Sequence, residues 1–117
     1  MKDTILYISD REEKVGSFLK KLLSKLLKSK KEYLLDLRHD ILITDKVDVV
    51  GKSFYGSRLG CGYGHCLYYC IDETIDKNRM TDKDNQQLTE ILAHAREGAK
   101  EVSEHDILYM LDMKVGG

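Results

Sequence analysis

Residues 12–27 constrain the fold most, because their apolar side chains recur with the period of an α-helix. The lysines of this stretch fall off the apolar face, as is typical of a helix packed on a core. Tyr33, Leu34 and Leu37 continue in the same phase beyond a polar break at Ser29 and Lys30. We therefore expect a long helix that runs to about residue 38. The alternative is a helix that ends near Lys30, with residues 31–38 starting a new element. At about 100° per residue, the apolar arc holds Val15, Phe18, Leu19, Leu22, Leu23 and Leu26.

The predicted first helix is also rich in lysine. Residues 14–31 contain seven lysines and no acidic residue. A basic amphipathic helix can bind an anionic membrane surface, a groove on a partner or nucleic acid. The more common role of such lysines is to keep an exposed helix face hydrated. If this face binds a partner, its candidate contact residues are Lys21, Lys25 and Lys28.

Charge is distributed unevenly along the chain. The net charge of −1 provides no overall positive field for binding nucleic acid. Residues 1–38 carry ten basic and six acidic groups, whereas residues 81–117 carry four basic and eight acidic groups. This polarity favours head-to-tail or antiparallel self-association, or packing of the first helix near the last.

Length and composition limit the class of protein. A chain of 117 residues is sufficient for one domain, which we expect to span 1–117. No apolar run is long enough to cross a membrane, and the first residues lack the apolar region of a signal peptide. Three cysteines are too few, and odd in number, for a secreted disulfide scaffold. We therefore expect a cytoplasmic protein.

Three segments have the patterns of β-strands. Residues 4–8 are β-prone and predict an edge strand or an extended lead-in to the first helix. Residues 41–50 alternate around a possible turn at 45–46, which predicts a hairpin or, alternatively, a single strand with a bend. Residues 65–72 are apolar on both faces, as expected of a central strand.

Helical signals return after residue 80. Thr81 and Asp84 form a capping-box pattern, and apolar residues at helical spacing follow as far as Val102. Ser103 and Asp106 predict a second helix start. The expected fold is thus α+β: a long N-terminal amphipathic helix, a small antiparallel sheet of two to four strands, a C-terminal helix and a short terminal helix. The first and penultimate helices would cover one face of the sheet.

The glycine-rich stretch 51–64 is a candidate binding loop. Its five glycines predict a surface loop or a hairpin with a mobile tip. A nucleotide fingerprint needs a helix after the loop, whereas here a strand follows. Stacking and charge could still hold a nucleotide or single-stranded RNA, unless the aromatic residues fold back on the core. The candidate binding residues are Phe54, Tyr55, Arg58 and Tyr63.

Cysteine and histidine cluster in the same region, at Cys61, His65, Cys66 and Cys70. At roughly 3.3 Å per residue, Cys66 and Cys70 on one strand would share a face but stand about 13 Å apart. They could not bind the same zinc ion, so no metal site is favoured. A cysteine nucleophile would need a histidine brought close by folding, and no motif indicates which one.

A further polar stripe is predicted on the later helix. Glu90, His94, Glu97 and Glu101 would lie along one helix face, which we interpret as a solvated surface. The sequence therefore favours a non-catalytic module that binds proteins, including a second copy of itself, without a cofactor. The alternative is a nucleotide or nucleic-acid binder that uses residues 51–64 and the helix lysines. A third hypothesis is a cysteine-based enzyme or zinc-binding module.

Overall fold

A six-stranded mixed β-sheet with helices on both faces forms the protein. The computed structural model describes residues 3–29, 33–44, 47–56, 66–93 and 95–116. In chain order the strands are β1 (Asp3–Ser9), β2 (Tyr33–Asp36), β3 (Ile41–Thr44), β4 (Val47–Ser53), β5 (Cys66–Ile71) and β6 (Ala95–Glu101). The helices are α1 (Glu12–Ser29), α2 (Asp82–Leu92) and α3 (Glu104–Gly116), with a short 3₁₀ turn at Lys77–Arg79.

The strands lie in the order β2-β3-β4-β1-β5-β6. Strand β1 is central and pairs in parallel with β4 and β5, and β5 pairs in parallel with β6. Strands β2 and β3 extend the sheet in antiparallel pairing beyond β4. Four parallel strands therefore point their carboxyl ends to the same edge of the sheet.

The side chains of β1 alternate between two cores. Ile5 and Tyr7 belong to a core cluster with side chains of α1 and α3, and Leu6 and Ile8 belong to another with Ile91 of α2. Helices α1 and α3 thus cover one face, and α2 covers the other. The cluster on the first face also contains Val15, Phe18, Leu19 and Leu22 from α1 and Ile107 and Leu111 from α3.

The predicted fold is wrong in its first element and in its sheet. A strand, and not a long helix, comes first, and the sheet has six strands in mixed pairing instead of two to four in antiparallel pairing. Strand β1 was expected at an edge or as a lead-in, but it is buried on both faces. Its apolar run covers only residues 5–8, and a run this short does not distinguish a central strand from an edge strand or a lead-in.

The expected long helix ends at Ser29, and residues 33–36 form the strand β2. Tyr33 and Leu34 pair with Thr44 and Ile43 of β3 instead of continuing the apolar face of α1. The polar residues Ser29 and Lys30 therefore did mark the end of the helical pattern in the sequence. The apolar phase beyond them was coincidental, because a run this short fits a strand as well as a helix.

The penultimate helix was also predicted too long and on the wrong face. It ends at Leu92, and Ala95–Glu101 is the edge strand β6. Gly98 has a φ of 81°, which a helix does not allow. The polar stripe proposed for one helix is therefore divided, since Glu97 and Glu101 lie on β6. Helix α2 also lies on the opposite face from α1, where a shared face was expected.

Several local predictions are confirmed. Residues 41–44 and 47–53 pair in antiparallel fashion as a hairpin, and β5 lies inside the sheet. The Thr81 hydroxyl accepts the amide of Asp84 at 3.1 Å, and the Asp84 carboxylate accepts the amide of Thr81, which completes the capping box. Among the helices in the described ranges, none has the length and apolarity to cross a lipid bilayer.

Candidate functional site

The carboxyl ends of the central parallel strands meet at Ser9, Ser53 and Asp72. The Phe54 amide donates to the Ser9 carbonyl at 3.0 Å, and the Asp72 amide donates to the Ile8 carbonyl at 2.7 Å. These bonds fix the three strand ends relative to one another. Open sheets with parallel strands bind ligands outside this edge, so it is the first place to look for a site.

A cleft of about 670 Å³ opens at this edge, between the start of α1, the turn from β2 to β3 and the end of β4. This volume is within the range of small-molecule pockets, about 300–1,000 Å³. Its lining carries both signs of charge. The cationic residues are Arg11, Arg38 and Lys52, and the acidic ones are Asp10, Glu12, Glu13 and Asp40.

Two carboxyl groups of the cleft, Glu12 and Asp40, share a hydrogen bond. Burial, the hydrogen bond to Glu12 and repulsion from its charge raise the pKa of Asp40 to about 7. The pKa of Glu12 is lowered, because Asp40 and Ser53 both donate to it. The Ser53 hydroxyl lies 2.7 Å from Glu12 Oε2. Asp40 therefore holds a proton below about pH 7 and loses it above, which gives the cleft a group that can donate or accept a proton.

Asp40 is held in an unusual backbone conformation. Its φ of 55° lies in the left-handed region, which aspartate and asparagine tolerate better than most residues. The Asp40 carbonyl accepts the Gly51 amide at 2.7 Å. This contact joins the turn before β3 to β4 and positions the Asp40 carboxyl beside Glu12.

Tyr55, a predicted binding residue, links the end of β4 to α2. Its hydroxyl donates to Asp84 at 2.6 Å, and its amide donates to the Gln87 side chain at 2.9 Å. The Lys83 ammonium lies 5.6 Å from the centre of its ring. Although half of Tyr55 is exposed, its hydroxyl and its amide already have partners within the protein.

The other predicted binding residues lie apart from one another. Phe54 is buried in the core beneath α2, with 6% of it exposed. Lys21 and Lys25 are exposed on α1, and Lys28 lies in the same helix. Arg58 and Tyr63 lie outside the described residues, as do Cys61 and His65.

The two described cysteines are buried on opposite sides of the sheet. Cys66 packs in the α2 core and Cys70 in the α1–α3 core, because the pairing of β5 with β6 is irregular between Cys66 and Tyr68. The expectation that they share a face is wrong. Burial raises the pKa of both thiols, that of Cys70 to about 12, so they stay protonated at neutral pH. In the described ranges no group of three or more His, Cys, Asp or Glu residues is placed to hold a metal ion.

The two edges of the sheet differ in character. Edge strand β2 and the turn after it expose Tyr33, Leu34 and Leu37, and Leu34 is 59% exposed. Edge strand β6 instead carries charged side chains, which discourage strand pairing: Arg96, Glu97, Lys100 and Glu101. The sequence prediction missed the apolar edge because it placed Tyr33, Leu34 and Leu37 on a helix. The break at Ser29 and Lys30 was the signal that could have revealed it.

Two surfaces therefore stand out in the described part of the chain: the charged cleft at the strand ends and the apolar edge of β2. No protein-family model, curated protein or solved structure matches the chain.

Proposed function

We propose that this protein is a non-catalytic interaction module that pairs with another protein chain along β2, most readily with a second copy of itself. The observation that carries the proposal is the apolar edge formed by Tyr33, Leu34 and Leu37. An edge strand offers unpaired backbone donors and acceptors, and proteins usually protect such edges with charge. Strand β6 has that protection, whereas β2 does not.

A second copy fits the edge because antiparallel pairing of β2 with its own copy is symmetric. A two-fold axis through the middle of β2 sets Tyr33 opposite Asp36 of the other copy, and Leu34 opposite Leu35. Such an interface is self-complementary and closed, which is the commonest form of homodimer. It also continues the antiparallel pairing that β2 already makes with β3.

The length of β2 and the charge distribution favour weak association, and the cysteines favour a reducing compartment. Strand β2 has four residues, so we expect the dimer to dissociate in the micromolar range or above. The basic first third and acidic last third of the sequence add complementary charge. The described cysteines, Cys66 and Cys70, are free thiols, which supports the cytoplasm as its location.

Sedimentation equilibrium over a wide concentration range tests this proposal. We expect a monomer–dimer equilibrium for the unmodified protein. For Leu34→Lys the dissociation constant of the dimer should be at least about tenfold higher, because the edge then carries a charge. Tyr109→Lys is the matched control, since Tyr109 is 61% exposed but lies on α3. Equal association of the two variants, or a monomer at every concentration, would refute pairing through β2.

A second candidate function is binding of a nucleotide in the charged cleft. Arg11 and Arg38 in the cleft lining favour it, because guanidinium groups bind phosphate, and carboxylates such as Glu12 can accept ribose hydroxyls. Titration calorimetry with AMP in low and high salt tests it, and the affinity should fall as salt rises. An Arg38→Gln variant that binds AMP unchanged would contradict it. The cysteine-enzyme or zinc alternative now rests on Cys61 and His65, outside the described residues.

A further inference from the structure

A second cavity, of about 310 Å³, lies on the α1–α3 face, beside the central strand ends. It is bounded by α1, by the segment after β5 and by the start of α3, and it does not include Glu12 or Asp40. The chain leaves β1 towards β4 and leaves β5 towards β6. The gap between β1 and β5 is thus the switch point of the sheet, where ligands bind in proteins of this architecture.

Tyr7 directs a polar group without a partner into this cavity. Only 2% of its surface is exposed, and its ring stacks on Phe18 with 3.9 Å between ring centres. Its hydroxyl makes no hydrogen bond to any part of the chain that the structure describes. Among the described residues, every fully buried side-chain oxygen or nitrogen atom has a hydrogen-bond partner. The Tyr7 hydroxyl has none among those residues, so it must be partly exposed. The surface that it reaches is therefore the cavity, which Tyr7 lines.

Asp72, on the same cavity, is a buried carboxylate held by neutral donors alone. It is 3% exposed and accepts the Ser9 hydroxyl at 2.7 Å, and the Thr74 amide and hydroxyl at 2.9 Å each. Within the described ranges, no lysine, arginine or histidine forms an ion pair with it. A buried charge normally has a counter-charge, and Asp72 has none from those residues.

The nearby lysines do not supply that counter-charge. The Lys14 ammonium contacts Asp10 at 2.9 Å and donates to Thr74 at 3.1 Å, so its charge is balanced by Asp10. Lys21 is exposed on α1, where water screens it. The negative charges of Asp72 and Glu104 add to burial in raising the pKa of Tyr7. The cavity therefore combines a negative field with an apolar wall formed by the Tyr7–Phe18 pair.

We propose that this cavity binds a small organic cation, an alkylammonium group on a short apolar body. The ammonium would supply the counter-charge of Asp72 and Glu104 and donate a hydrogen bond to the Tyr7 hydroxyl. The apolar body would lie against the stacked rings. A carboxylate or phosphate ligand would be repelled by the negative charges of Asp72 and Glu104. This site is independent of pairing through β2.

The test is amide NMR of the full chain with three probes of matched size: n-butylammonium, 1-butanol and butyrate. We expect saturable shifts at Thr74 and Glu104 with the ammonium at concentrations of about 10 mM or below, weaker shifts with the alcohol and none with the carboxylate. Equal response to all three would show non-specific partitioning and overturn the proposal. No response to the ammonium would overturn it as well.

Variants locate the response in the cavity. Tyr7→Phe removes only the hydroxyl and keeps the ring stack, so the ammonium should bind about fivefold more weakly. Tyr109→Phe removes an exposed hydroxyl on α3 and should bind it unchanged. Glu104→Gln, at the helix start, removes one charge without touching the buried strand and should also weaken binding. Wild-type affinity in both Tyr7→Phe and Glu104→Gln would disprove the assignment.

Discussion

At the scale of single residues, the most informative group is the Asp40 carboxyl. Its pKa is raised to about 7 by burial and by Glu12, from a usual value of 3.8. The folded protein therefore binds more protons than the unfolded chain between about pH 4 and pH 7. The stability that Asp40 contributes is complete below pH 4 and is lost as the pH rises through about 7. The lowered pKa of Glu12 acts in the opposite sense, and its contribution is lost as the pH falls below 4.5.

We predict that Asp40→Asn removes the loss of stability that the unmodified protein shows between about pH 4 and pH 7. The asparagine amide can donate to Glu12 at every pH, and asparagine tolerates the left-handed backbone of this position. In thermal unfolding from about pH 5 to about pH 8, the melting temperature of the unmodified protein should fall relative to that of the variant as the pH rises to about 7, and the difference should then stay constant. Parallel curves across this range would show that Glu12 and Asp40 do not share a proton.

At the scale of elements, α1 and β4 pack so closely that the contact needs a glycine. A Cβ at Gly51 would overlap Cγ1 of Val15, a fully buried side chain of α1. Gly16, the next residue in the same helix, has no atom within 4 Å of an added Cβ. The two glycines therefore provide a matched pair for testing how α1 sits on the sheet.

We predict opposite effects of alanine at these two positions. Gly51→Ala should lower the free energy of unfolding by about 1–3 kcal/mol, because the overlap forces strands and helix apart. Gly16→Ala should raise it by about 0.5–1 kcal/mol, because alanine loses less backbone entropy in a helix. Urea unfolding of both variants measures the difference. Destabilisation by Gly16→Ala, or none by Gly51→Ala, would contradict this packing.

The elements that the sequence predicted are those with local signals. The capping box at Thr81 and the β3–β4 hairpin follow from neighbouring residues, and both were found. The strands β1 and β6 depend on distant partners instead, whereas β2 was assigned to the preceding helix although its partner β3 follows closely. Residues 95–101 are spaced like a helix face, and only pairing with β5 makes them a strand. The cleft was missed for the same reason, because folding alone brings Asp40 beside Glu12.

At the scale of the whole molecule, we propose that the sheet continues across β2 into a second copy. One edge of the sheet is charged and the other is apolar, so we expect the sheet to extend at the apolar edge. A dimer formed in this way would carry a continuous sheet of twelve strands, twice the six of one chain. The strand ends, with their cleft and cavity, would stay open to ligands in each copy.

Amide hydrogen exchange of β2, measured at several protein concentrations, detects such pairing at the strand itself. Pairing gives hydrogen-bond partners to those amides of Tyr33–Asp36 that face away from β3. We predict that their exchange slows as the concentration rises, whereas exchange at the charged edge β6 does not change. Exchange in β2 that is independent of concentration, or equal slowing at both edges, would contradict pairing through β2.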